Sequence, residues 1–130
     1  MGMLVNPYVF TSTPVPGVTW TMRTNSGVRT WESICMSSDG TKLWSCVFGG
    51  YIYSSTDSGA SWTNNTTIGI KNWVSISSDP TGTYLVALNN GGYIYTSGDS
   101  GANWTENKTL GAKNWAKLRC SQDGTKLVAV

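Results

Sequence analysis

The side chains in this sequence that could do chemistry are few, and the same few return at a fixed interval. Arg29, Lys71 and Lys113 are 42 residues apart, and each stands two residues ahead of a tryptophan: Trp31, Trp73 and Trp115. Asn72 and Asn114 directly follow the two lysines. A recurring cation beside an amide and an indole offers charge, hydrogen bonds and an aromatic face, a combination suited to holding an anion or a sugar. Catalysis is harder to build. The chain has no histidine, which removes the commonest general base, the Ser-His-Asp arrangement and imidazole metal sites together. Asp57 and Asp99 lie in a repeated turn, Asp39 and Asp123 in Asp-Gly turns, and Glu32 and Glu106 lack an evident pair. The expectation is a binding protein with no catalytic residue, no metal and no cofactor.

The elements that must position these residues follow from the same period. Trp20, Trp62 and Trp104 are also 42 residues apart, and residues 31–72 align with 73–114 without a gap. The two copies share Ile34/Ile76, Gly40/Gly82, Leu43/Leu85, Asp57/Asp99 and the run Gly49-Gly50-Tyr51-Ile52-Tyr53 against Gly91-Gly92-Tyr93-Ile94-Tyr95. Self-similarity of this length marks stacked or radial repeats, in which no unit buries its apolar face alone. Within a copy, short β-branched and aromatic runs alternate with turn residues about every ten positions. The spacing predicts strands over 73–77, 84–88 and 93–97 and a short one around Trp104 and Thr105, with turns at 79–82, 89–92 and 99–102 and no helix. Four short antiparallel strands per unit make the blade of a β-propeller.

Residues 55–62, Ser-Thr-Asp-Ser-Gly-Ala-Ser-Trp, and 97–104, Ser-Gly-Asp-Ser-Gly-Ala-Asn-Trp, both fit Ser-x-Asp-x-Gly-x-x-Trp. This pattern resembles the Asp box of bacterial neuraminidase repeats. Over nearly its whole length the chain is similar to the Asp-box β-propellers, a group that includes sialidases, sortilin-type receptor domains and photosystem assembly factors. The resemblance implies that Ser55, Asp57, Gly59, Trp62, Ser97, Asp99, Gly101 and Trp104 are structural residues at the blade periphery. The first copy keeps Gly17 and Trp20 but has Val15 in place of the aspartate, beside Pro14 and Pro16. A sialidase-like glycosidase would need an arginine triad. Arg23, Arg29 and Arg119 stand at non-equivalent repeat positions, and no Arg-Ile-Pro segment is present.

The copies are out of phase with the chain. Residues 7–22 correspond to the last two strands of a blade, 31–65 and 73–107 to two full blades, and 115–130 to the first two strands of another. Val130 aligns with Cys46, Leu88 and Leu4, so one copy's end matches another's beginning. Three blades are too few to close a ring, because propellers have four or more. The expectation is a homodimeric six-bladed propeller joined head to tail by strand complementation, burying Leu118, Leu127 and Val128. The alternatives are a piece of a longer propeller and an assembly without a ligand.

A net charge of +2, with 12% of residues charged, gives no basic tract for nucleic acid, and no apolar run is long enough for a membrane span. The start of the sequence lacks a secretory signal pattern, which favours an intracellular protein without fixing the compartment. Cys46 aligns with Leu88, and Cys120 with Met36; both are expected to serve as small buried hydrophobes.

Overall fold

Residues 8–9, 21–121, 123 and 125–130 are described by the structure, a computed structural model. The alternation of strand and turn signals is realised as twelve strands and a single 3-10 turn at Thr24–Ser26, with no α-helix among the described residues. Strands β1 (Tyr8–Val9) and β2 (Thr21–Met22) pair with each other. The first four-stranded meander follows: β3 (Trp31–Met36), β4 (Leu43–Gly50), β5 (Ile52–Ser55) and β6 (Thr63–Asn65). The second is β7 (Lys71–Ser78), β8 (Leu85–Asn89), β9 (Ile94–Ser97) and β10 (Thr105–Asn107). A final pair, β11 (Leu118–Cys120) and β12 (Leu127–Ala129), starts the pattern again.

Every ladder is antiparallel, and the registers repeat with the sequence. Ile34 faces Ser45 as Ile76 faces Ala87, and Leu43 faces Ser55 as Leu85 faces Ser97. Both inner strands carry a register shift at the same place, between Trp31 and Ser33 and between Trp73 and Ser75, which makes Glu32 and Val74 the extra residues of a bulge. β7 begins at Lys71, two residues earlier than the sequence pattern indicates, because Lys71 and Asn72 pair with Gly50 and Phe48 of β4. Neighbouring meanders therefore share a short ladder as well as a face.

Period-two alternation decides which face each side chain serves. From the first meander Trp44, Cys46, Ile52 and Ile68 point forward into a core completed by Trp73, Ile76, Leu85, Ala87 and Tyr95 of the second. Val86 and Leu88 repeat the forward pattern against Trp115 and Leu118. The second meander is thus buried on both sides by its neighbours, and β4 of the first reads as an unbroken buried run from Leu43 to Val47.

Burial falls away at both ends of this stack. Ile76 and Leu118 are 1% and 2% exposed, but Ile34, at the equivalent position of β3, is 49% exposed. Trp44 and Val86 are 2% and 8% exposed, but Val128 is 66% exposed. The architecture is an all-β stack of curled antiparallel meanders, consistent with part of a β-propeller.

Candidate functional site

Two of the three repeated cations, Arg29 and Lys71, rest on a tyrosine. Arg29 precedes β3, and its guanidinium lies 4.7 Å from the centre of the Tyr53 ring; its Nε also donates to the Ser26 carbonyl at 3.1 Å. Lys71, 42 residues later, places its ammonium 5.4 Å from the centre of Tyr95. Beneath each tyrosine lies the tryptophan of strand one. Trp31 meets Tyr53 edge to face at 5.2 Å, and Trp73 meets Tyr95 at 5.1 Å. The order is cation, phenol, indole, with the indole at the bottom.

This layering corrects one expectation. Trp31, Trp73 and Trp115 are all buried, so they offer no ring face to a ligand; they fill the wedge between meanders. The ring directly under each cation belongs instead to a tyrosine, Tyr53 half-buried and Tyr95 buried, and the constant spacing, 29 to 53 and 71 to 95, was a usable signal in the sequence. Asn72 and Asn114 are exposed, as is Lys113. The Asn72 amide donates to Asn89 Oδ1 at 3.1 Å. Lys113 fixes its own backbone instead, exchanging hydrogen bonds with Gly92 and Gly91 at 3.0 Å. Arg29 and Lys71 therefore share one local environment that Lys113 does not reproduce.

Beside Lys71 a cavity of about 200 Å³ opens between the loop after β6 and the outer strands of the second meander, lined by Thr67, Ile68, Lys71, Tyr95, Trp104 and Glu106. Glu106 stands directly opposite Tyr95 in the β9–β10 ladder and accepts the Tyr95 hydroxyl on Oε1, while Lys108 lies 3.1 Å from its Oε2. The tyrosine hydroxyl, then Lys108, holds the Glu106 carboxyl below its ordinary range. Burial, then this carboxylate, pushes the Tyr95 phenol up. The sequence gives Glu106 no partner at repeat spacing; cross-strand pairing supplies one. An ammonium, a carboxylate and an aromatic edge around a small cavity suit a small polar ligand.

The repeated aspartate turns spend their hydrogen-bonding capacity on themselves. Ser55 donates to Asp57 Oδ1 at 2.7 Å and accepts the Gly59 amide at 2.8 Å, while the Ser61 amide donates to Asp57 Oδ1 at 2.8 Å. Ser97, Asp99, Gly101 and Asn103 repeat the pattern at 2.8, 2.9 and 2.8 Å. Ser58 and Ser100 adopt φ of 55° and 59°, followed by Gly59 and Gly101 at 82° and 89°, a left-handed pair that these hydrogen bonds hold in place. The Ser61 hydroxyl and amide, with Ser55, hold Asp57 at about 2; the Asn103 amide and side chain lower Asp99. Trp104 closes its turn by donating from Nε1 to the Gly101 carbonyl at 3.0 Å, and Trp62 stacks obliquely on Trp31 at 5.9 Å. Gly17 and Trp20 lie outside the described residues.

Two further pairs organise the stack, and the repeat pattern alone assigns them no role. Ser33 and Ser75 hydrogen-bond the next inner strand, at Ile76 and Leu118. Trp44 packs into a slot above Gly82 and donates from Nε1 to the Ser100 carbonyl at 3.1 Å. The retained serines and the aligned glycines were the available signals.

Fold and turn geometry together define an all-β protein of the propeller type. No family model matches the sequence, and no curated protein is similar to it at a significant level. Among solved structures of β-propeller fold, the chain is similar to YCF48 bound to a D1 peptide, at a TM-score of 0.67 and 24% identity over 97% of this chain and 41% of that one. It is similar to YCF48 from Cyanidioschyzon merolae at 0.67 and 20% identity, covering 88% and 39%. A GH74 enzyme from Niastella koreensis matches at 0.54 and 25% identity, covering 66% of this chain and 13% of the enzyme. The chain thus spans less than half the length of each, and likeness at these identities speaks for the fold.

Proposed function

We propose that this chain is a non-enzymatic, self-assembling propeller scaffold: two copies join head to tail into a closed ring of six repeat units. The face carrying Arg29, Lys71 and Lys113 then takes a glycan or another small polar or anionic ligand. The observation that carries the reading is the gradient of burial along equivalent positions, Ile34 open where Ile76 and Leu118 are closed, and Val128 open where Trp44 and Val86 are closed. Apolar faces of this kind, flanked by strands, invite pairing, and a heterologous contact must close to avoid growing without limit.

The non-enzymatic part rests on how the acids are used. Asp39, Asp57, Asp79, Asp99 and Asp123 each accept hydrogen bonds within their own turns, and Glu106 is held by Tyr95 and Lys108. Among the described residues that leaves Glu32 as the one carboxylate not so engaged, without a second to pair with it for glycoside chemistry. Fold analogy is neutral on the ligand, since one similar structure is solved with a peptide and another is a glycoside hydrolase.

The ligand half of the proposal is tested on a glycan array with the wild-type chain and Lys71→Ala. A reproducible hit lost in the variant supports it. Silence from a fully assembled protein removes the ligand and leaves assembly as the function.

A further inference from the structure

The inner strands are joined by one repeated device. Ser33 Oγ accepts the Ile76 amide at 3.2 Å and donates to the Ile76 carbonyl at 3.3 Å. Ser75 Oγ accepts the Leu118 amide at 3.2 Å. The third member of this series is Lys117. An ammonium has no lone pair with which to accept an amide proton, and burying it against a strand is costly without a partner. Lys117 is exposed in the isolated chain.

A second device changes in the same direction. A Cβ built on Gly82 would stand 2.3 Å from Trp44 Cη2, so the glycine leaves the space that the indole takes. Gly40 is the aligned glycine, with φ of 69° against 67° at Gly82. Among the described residues nothing lies within 4 Å of the corresponding Cβ position on Gly40. The turn beside it is also repeated, Ser58 matching Ser100 in its left-handed φ. The first meander therefore presents the receiving half of the slot, and the forward residue in register to enter it is Val128, where the series runs Trp44, Val86, Val128.

We infer that the seam between two copies repeats the register of the internal junctions, with Val128 and Val130 of one copy lying over Ile34 and the Gly40 slot of the next, and that it is the weakest junction of the ring. The inference rests on the homo-oligomeric reading above. Its occupant is a second copy because the two open faces are the two halves of a contact the chain already makes twice: Trp44 and Cys46 share a core with Ile76, and Val86 and Leu88 share one with Leu118. The exposed set on one side, Ile34 and Met36, matches the exposed set on the other, Val128 and Val130. The seam is weaker because Lys117 stands where serine stitches the other junctions and Val128 where tryptophan wedges the first. Assembly is accordingly reversible by dilution, and opening happens at seams and not within the chain.

The test is light scattering across a dilution series on the wild-type chain, Lys117→Ser, Val128→Trp and, as a charge control away from the seam, Lys113→Ser. Because a two-chain ring has two seams, one restored hydrogen bond at each lowers the half-dissociation concentration by a factor of about thirty, and a buried indole at each by about a hundredfold or more, while Lys113→Ser leaves it in place. Tightening of the wild-type dimer by either variant with its circular dichroism intact supports the register. If both variants fold and neither tightens while the wild type is dimeric, the register is wrong and the homo-oligomeric reading survives. If all four chains stay monomeric, both fall. Should Val128→Trp fail to fold, Lys117→Ser decides alone, because Lys117 is exposed and serine is tolerated there.

Discussion

Trp44 and Gly82 occupy one space: the indole lies where a side chain on the glycine would have to be, 2.3 Å from an ideal Cβ, and Gly82 also has a φ of 67°. Gly40 has the same backbone conformation without the indole. Gly82→Ala therefore combines a steric clash with left-handed strain and should cost about 3 kcal/mol or more. Gly40→Ala meets strain alone, about 1–2 kcal/mol. Urea unfolding of both variants checks this, and equal losses would mean that Trp44 does not sit in the slot.

Ser75 is a buried hydroxyl whose replacement strands an amide. Ser75→Ala leaves the Leu118 N–H without its acceptor and should lower unfolding stability by about 1–3 kcal/mol. Hydrogen exchange gives the more specific readout, since the Leu118 amide should lose protection before the β8 amides do. A change within about 0.5 kcal/mol, the range of neutral surface substitutions, would show that packing and not the stitch sets the junction.

Acid should loosen the turns. Asp57 is held at about 2 by Ser61 and Ser55, Asp39 at about 2 by Ser37 and Thr41, and Asp123 at about 2 by Ser121 and Thr125, against an ordinary 3.8. Each carboxyl binds its proton less readily folded than unfolded. The stability they contribute is therefore complete above the unfolded value and is lost as pH falls through the folded one. Thermal midpoints should hold steady down to about pH 5 and fall steeply toward pH 2, with Asp57→Asn flattening part of the fall. A midpoint unchanged down to pH 2 would contradict the geometry of the turns.

The thiols should be slow. Burial pushes Cys46 up to about 12, and burial likewise pushes Cys35, packed against the same core, up to about 12. Burial raises Cys120 as well, and both Cys120 and Cys35 keep part of their surface in solvent. Because the thiolate is the reactive form, an aromatic disulfide reagent at pH 8 should label Cys120 first. Cys35 should follow more slowly and Cys46, which is fully buried, only on unfolding, with all three labelled in urea. Rapid labelling of Cys46 in buffer would place it outside the core.

Much of the fold was legible because the 42-residue period fixes both strand spacing and turn chemistry: Asn89 to Gly92 can hardly be anything but a turn, and Leu85 to Leu88 anything but a strand. The β7 extension to Lys71 was not, because it depends on Gly50 and Phe48 of the preceding meander, a contact that no local pattern encodes. The site was legible as a repeated cation but not as a surface. Period and residue type place Trp31 and Trp73 near Arg29 and Lys71, but only packing decides that Tyr53 and Tyr95 lie between them. Glu106 shows the same limit: its partner is set by the β9–β10 register, which depends on the length of the turn at Asp99. Ser33 and Ser75 were hidden differently, since a small polar residue on an inner strand looks like surface until the neighbouring strand is placed against it.

The central claim is closure by two copies, and the mass of the chain in solution tests it most directly. Light scattering coupled to size exclusion should give twice the 14.0 kDa of one chain at working concentrations, with a single step to monomer on strong dilution. A monomer at every concentration, or a ladder of species growing without a ceiling, would contradict the ring.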